Sequence, residues 1–201
     1  ACVYGGPTKS LDDCGNAKSA LAAGLGTAAG ASFDLGNGFT AALGYEGEGA
    51  STKGLFTKES MDVFGGQVTY TGDSYGASVT YSDYESSTDT TYLALNAYYT
   101  PESAGSIPSI SAGYESATVT GGTDSSQWFV GLQWDEVGAG TLGAALGTYG
   151  HIADGATEYY MYEAFYSYPM NDGMTITPIV FIKETSGTDE TGLMVKTSFS
   201  F

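Results

Sequence analysis

TGLMVKTSFSF, residues 191–201, puts Leu193, Val195, Phe199 and Phe201 on one phase of a two-residue period and Lys196, Ser198 and Ser200 on the other. Such alternation belongs to a strand, because successive side chains point to opposite faces of a sheet. A sheet in water buries its apolar phase against a second layer. A membrane barrel turns that phase to lipid and keeps the polar phase inside. The rest of the chain has to distinguish the two.

The same alternation recurs upstream. In SQWFVGLQWD, residues 126–135, Trp128, Val130, Leu132 and Trp134 share one face, opposite Gln127, Phe129, Gly131, Gln133 and Asp135. Two Trp bracketing aliphatic residues suit two interfacial aromatic belts around a hydrocarbon band. TEYYMYEAFYSYP gives an outward set of Tyr160, Tyr162, Ala164, Tyr166 and Tyr168, with Glu163 and Ser167 inside. Phe39, Ala41, Leu43, Tyr45 and Tyr75, Ala77, Val79, Tyr81 repeat the phase.

Read along the chain, strands are expected over Lys18–Leu35, Phe39–Gly47, Asp62–Thr71, Tyr75–Tyr84, Thr91–Tyr99, Ser109–Val119, Ser126–Asp135, Gly140–Tyr149, Thr157–Tyr168, Met174–Lys183 and Thr191–Phe201. These are about eleven strands of about ten residues, the length that crosses a bilayer when tilted. Their connections alternate in kind. Gly36–Gly38, Gly72–Ser74, Pro101–Pro108, Val137–Ala139 and Pro169–Gly173 are mostly tight, whereas Glu48–Met61, Glu85–Thr90, Thr120–Ser125, Gly150–Ala156 and Glu184–Glu190 are longer, polar or charged. Sorting short turns to one side and loops to the other is the layout of an outer-membrane barrel, with the short side periplasmic. Pro178, inside MTITPIVFIK, cannot donate a ladder bond, so a bulge or local break is expected there.

Composition agrees. The 201 residues include 30 Gly and 16 Tyr, suiting one all-β domain. No apolar run is long enough for a transmembrane helix, and no signal peptide opens the chain at ACVYGGPTKS. With six basic residues, all Lys, and a net charge of −17, the electrostatic footprint for nucleic acid is missing. Cys2 and Cys14 enclose a short polar segment and are expected to close it by a disulfide in an oxidising compartment, two free thiols being the alternative.

At YEAFYSYPMNDGMTITPIVF, followed by TGLMVKTSFSF, the sequence resembles the C-terminal barrel of cyanobacterial outer-membrane porins of the iron uptake and carbohydrate-selective type. LGNGFTAALGY, GLFTKES and DSYGASVTY look like the same family further upstream. The terminal Phe201 is similar to the signal that hands bacterial barrels to their assembly machinery. The resemblance implies a channel without cofactor or catalysis, inserted in the outer membrane and passing small solutes or ions. The family's surface-layer-homology domain and helical linker are not present in these residues.

On this reading the antiparallel up-and-down barrel spans 1–201, alone or as the C-terminal portion of a porin, with 1–17 as a disulfide-closed extracellular loop. Glu46, Asn96, Glu115, Gln127, Gln133, Asp135, Glu163, Lys183 and Lys196 are expected to line the pore, and Trp128, Trp134, Tyr160, Tyr168, Phe199 and Phe201 to form the belts. Acid-rich walls concentrate cations. Lys53 and Lys58 lie in a loop that can fold inward as a constriction or stay at the surface. An odd strand count leaves edges that must close on further strands, from a preceding part of the polypeptide or a second chain, giving roughly fourteen to eighteen strands. A homotrimer is possible by analogy with porins.

Other chemistry reads weakly. His151 lies in a loop near Asp154, where a solvated residue is the ordinary reading. Asp83, Glu85 and Asp89, or Glu184, Asp189 and Glu190, lack the spacing of a built Ca²⁺ site. The competing reading from another class is a surface scaffold or adhesion protein that displays acidic loops and conducts nothing.

Overall fold

A computed structural model describes residues 27–48, 61–103 and 105–200. Cys2, Cys14, Lys53, Lys58 and Phe201, and with them the expected N-terminal loop, the disulfide and the constriction loop, lie outside the described residues.

The strands are β1 (Thr27–Gly36), β2 (Phe39–Gly47), β3 (Asp62–Thr71), β4 (Tyr75–Glu85), β5 (Thr90–Tyr99), β6 (Ser109–Val119), β7 (Ser125–Val137), β8 (Gly140–Thr148), β9 (Ile152–Ala153), β10 (Tyr160–Asn171), β11 (Met174–Lys183) and β12 (Glu190–Phe199). They form one antiparallel sheet in chain order, β1 to β8 and then β10 to β12, while the two-residue β9 pairs with β7. Eleven long strands and the sorted connections match the sequence reading. The first long strand is described from Thr27 rather than Lys18. The tenth element runs Tyr160–Asn171, about three residues later than the expected Thr157–Tyr168.

The turns explain themselves locally. Between β1 and β2, Gly36, Asn37 and Gly38 have φ of 79°, 51° and 82°, a left-handed run that Gly tolerates and Asn accepts. The Asp34 carboxylate accepts from the Gly36 N–H at 2.8 Å and fixes its start. At the β7–β8 turn Glu136 and Gly138 have φ of 56° and 66°, and the ladder shifts register between Trp134 and Val137. Pro178 shifts nothing. The β10–β11 ladder lacks the two pairs around it and resumes in the same register at Tyr168–Ile176, and β11–β12 pairs straight through it. The expected interruption is present on the β10 side and the bulge is not, because a missing donor removes bonds without adding a residue.

The two faces differ sharply. On one, Leu43, Val68, Val79, Leu95, Ile110, Val130, Val180 and Leu193 are exposed. On the other, Thr80, Ser82, Glu115, Phe129, Glu163, Phe165 and Ile179 are buried. A single layer of strands gives this asymmetry when it curves, since inner side chains converge and outer ones splay. The exposed apolar face is therefore convex. Its exception is the loop end of β2 and β3, where buried Tyr45 donates to buried Asp62 at 2.8 Å.

Aromatics gather at both ends of the convex face. At the turn end Phe39 meets Tyr70 (4.9 Å between centroids), Tyr70 meets Tyr75 (5.5 Å) and Tyr166 stacks on Tyr168 (6.4 Å). At the loop end Tyr45 meets Phe64 (5.2 Å) and Trp128 meets Tyr160 (6.0 Å). Polar tips point away from the apolar band. Trp134 Nε1 donates to the Ser106 carbonyl at 3.3 Å, and Tyr166 Oη to that of Val137 at 2.7 Å. Trp128 and Trp134 are about 20 Å apart along β7 at the usual rise per residue.

The concave face is held by aromatic rings lying over glycines on the neighbouring strand. Phe129 faces Gly113, Phe165 faces Gly143, Phe181 faces Gly192 and Tyr98 faces Gly76, each as directly paired residues. A Cβ on any of these glycines would run into the ring opposite. Ala145, Phe165 and Ile179 form a buried cluster that Met194 extends onto β12.

Among the described residues the strand path ends at β1 on one side and β12 on the other, each with one paired edge. Both edge strands run from the loop end to the turn end.

Candidate functional site

The ladder register decides which side chains share the concave face. Ala94 on β5 opposes Glu115 on β6, which opposes Gln127 on β7, and one row over Asn96, Gly113 and Phe129 are aligned. Glu163 opposes Ala145 and Phe181, Lys183 opposes Met161 and Glu190, and Lys196 opposes Thr177. Following these pairs across the sheet, Glu46, Asn96, Glu115, Gln127, Gln133, Asp135, Glu163, Lys183 and Lys196 all fall on one face, the concave one. Trp128, Trp134, Tyr160, Tyr168 and Phe199 fall on the other. Alternation alone places them so, because the period of two leaves each strand only one choice to make.

The acids of this face are not uniformly open. Glu115 is 0% exposed, Glu163 4% and Glu46 5%, whereas Asp135 and Lys196 are exposed. A buried carboxylate needs donors or a cation. Glu115 has both. Its Oε1 accepts from Gln127 Nε2 at 3.2 Å and contacts His151 Nε2 at 2.5 Å. The other imidazole nitrogen, Nδ1, lies 3.1 Å from Ser125 Oγ, and the Tyr92 ring meets the imidazole edge-on at 6.0 Å.

What brings His151 there is the small strand β9. Past Thr148 the chain leaves β7, then returns so that Ala153 pairs with Ser125 and Ile152 with Ser126. Asp154 N–H donates to the Asp124 carbonyl at 2.8 Å and closes the arrangement. The sequence reads this connection as a polar loop with a solvated histidine. It carries a strand, and the histidine is tied to a residue 36 positions earlier in the chain. No local signal marks that pairing.

Ser125, His151 and Glu115 line up like a nucleophile, base and acid, and the comparison fails on the donors. The Ser125 backbone is paired to Ala117 on one side and Ala153 on the other, which leaves it no free N–H to stabilise an oxyanion. The arrangement binds a charge into a wall.

Elsewhere the face is mixed. Near the turn end Asp135 accepts from Gln133 at 3.0 Å and Thr141 at 3.2 Å. On β3 and β4, Gln67 donates to Thr80 at 2.8 Å. At the loop end Lys183 pairs with Glu190 at 3.2 Å and sits 4.3 Å from the Tyr149 ring centroid. The loop acids serve their own turns: Asp89 accepts from the Ser86 N–H at 3.3 Å and Asp189 from that of Thr185 at 3.4 Å. Among the described residues no three His, Cys, Asp or Glu gather as metal ligands. The buried apolar cluster around Phe165 was not anticipated on this face. Phe129 and Phe165 carry the polar phase of their strands, so alternation did place them there.

One curved antiparallel sheet, apolar outside between two aromatic rows and polar inside, with turns at one end and loops at the other, defines the wall of a transmembrane β-barrel of the outer-membrane type. Residues 13–183 match the model of the Gram-negative porin family. The chain belongs to that family, a family of bacterial outer-membrane channel proteins rather than enzymes.

Among solved structures, an anion-selective porin from Comamonas acidovorans superposes with a TM-score of 0.70 at 15% identity, over 87% of this chain and 59% of that one. A porin refined at 1.8 Å resolution gives 0.66 at 17% identity, over 86% and 60% respectively. OmpF of Salmonella typhi, solved with daunomycin, gives 0.57 at 16% identity, over 82% and 57%. At such identities the likeness is one of fold, and the chain spans about three fifths of these porins' length. No curated protein sequence matches it.

Proposed function

We propose that this chain supplies the greater part of the wall of a passive, cation-favouring aqueous channel for small hydrophilic solutes or inorganic ions. The observation that carries this is the charge on the concave face. Among the described residues Asp34, Glu46, Glu115, Asp135, Glu163 and Glu190 stand there against Lys183 and Lys196, and Lys183 is already paired with Glu190. Carboxylates on a low-dielectric wall focus field into the lumen and raise the local cation concentration. The Comamonas porin is anion-selective; at 15% identity that property does not transfer, and this chain's own charges favour the opposite sign. The resemblance of the C-terminal segment to cyanobacterial iron uptake porins favours ions as the cargo.

The aromatic rows then sit at the two headgroup levels, with the turn end periplasmic. Closing the wall needs further strands, because unpaired backbone groups in hydrocarbon cost several kcal/mol each. Both edge strands run in the same direction, so an all-antiparallel closure takes an odd number of them. That agrees with a barrel of roughly fourteen to eighteen strands, completed by residues outside those described or by a second chain. A trimer of such barrels is the assembly we favour.

The complete protein, refolded in detergent and added to a planar bilayer, is expected to conduct in discrete steps. Under a tenfold potassium chloride gradient its reversal potential should have the sign of potassium permeation. Stepwise conductance with an anion-type potential would overturn the selectivity. Absence of steps from a correctly folded barrel would overturn the channel and leave the scaffold reading.

A further inference from the structure

Among the described residues the concave face sets one buried carboxylate directly against an imidazole. Glu115 is fully buried in the middle of β6's loop-side half, and His151 reaches it from the returning loop, its side chain 25% exposed. Imidazole is the side chain that ordinarily gains or loses its charge between pH 5 and 8. Among the described residues the groups that surround it are few. From β5 comes the Tyr92 ring, from β6 Glu115, and from β7 the neutral Ser125 and Gln127. From the loops come Asp124, whose carboxylate is held by the Val119 N–H at 2.9 Å, and Asp154, whose N–H is bonded to the Asp124 carbonyl. Among these no second cation neutralises Glu115. Its other oxygen, Oε2, is buried with no hydrogen-bond partner among the described residues.

We infer that Glu115 and His151 act as a charge switch in the wall and make His151 a selectivity-setting residue of the channel, an inference that rests on the cation-favouring reading above. With the imidazole protonated the pair is neutral. With it deprotonated the wall regains one negative charge. Glu115 need not touch a permeating ion for this to matter, because a unit charge within about 10 Å of the path acts through the field at moderate salt. The switch requires no movement of the loop, since β9 and the Asp154–Asp124 bond hold it in either state.

The test is the reversal potential of the complete protein at pH 5 and pH 8, with His151→Gln and His151→Lys beside the unaltered protein. Gln keeps a donor for the Glu115 carboxylate and cannot titrate; Lys keeps the charge throughout this range. In the unaltered protein the cation-to-anion permeability ratio is expected to fall about two- to threefold from pH 8 to pH 5, the effect of one screened unit charge near the path. His151→Gln should hold the higher ratio at both pH values and His151→Lys the lower. A pH change of undiminished size in His151→Gln overturns the switch while leaving the channel intact. If that variant fails to insert, an undiminished change in His151→Lys overturns it equally. Absence of conductance in every protein, at both pH values, sinks the channel reading and this inference together.

Discussion

Leu132→Arg is expected to cost about 2–4 kcal/mol of folding free energy in a bilayer, the penalty for a guanidinium near the midplane on the lipid face of a barrel. Leu132 lies between Trp128 and Trp134 on the convex side of β7 and is paired with Ile110, itself exposed, and Ala144. Both of its ladder partners are apolar, so neither offers the charge a partner. The control lies one residue away. Gln133 points to the concave face beside Asp135, where an arginine meets a carboxylate and water, so Gln133→Arg should fold almost as well as the parent. Urea titration in vesicles, or the gel shift of the folded barrel on heating, separates the two. Equal stability of both variants would mean that the convex face does not meet lipid.

The second large effect is on the concave side. Phe165→Ala should destabilise the wall by about 3–5 kcal/mol, as for other large-to-small changes at a buried aromatic. The ring is 5% exposed, packed with Ala145 and Ile179, and laid over Gly143. Gly143→Ala alone should cost about 1–3 kcal/mol, because the new methyl displaces a ring that its neighbours hold in place. The decisive measurement is the pair together. Once the ring is gone the methyl has room and lowers the backbone freedom of the unfolded strand, so the double variant should be no less stable than Phe165→Ala alone. Costs that simply add would show that ring and glycine do not support each other.

How much of this was legible in the sequence follows from what a period of two can carry. It assigns a face: the ladders put Glu115, Gln127 and Glu163 on one side of the sheet and Trp128, Trp134 and Tyr160 on the other, as a period of two requires. It also sets element number, because turn chemistry such as Gly36-Asn37-Gly38 interrupts the pattern where the chain reverses. What it does not carry is which residues of two strands stand side by side. Glu115 and Gln127 could be placed on one face, but not in one row. His151 could not be placed at all, since its position depends on β9, two residues long and without any alternation to read. Pro178 shows the limit from the other direction: the missing donor was plain, yet whether the chain absorbs it by a bulge or by leaving bonds unmade is decided by the neighbouring ladders.

The paired rings and glycines of the concave face bear on how the strands find their partners. A slip of one residue between neighbours would turn every apolar side chain inward, and alternation forbids it. A slip of two keeps each face intact, so hydrophobicity is blind to it. Shape is not. Two residues out of place, Phe129 would lie against Ser111 or Glu115, Phe165 against Thr141 or Ala145, and Phe181 against Glu190 or Met194. Tyr98 would meet Ser74 or Ser78 in place of Gly76. None of these is a glycine, and none leaves room for a ring. Four rings spread over eight strands thus act as keys that fit one notch each, and they reject the misalignment that the lipid-facing surface would accept.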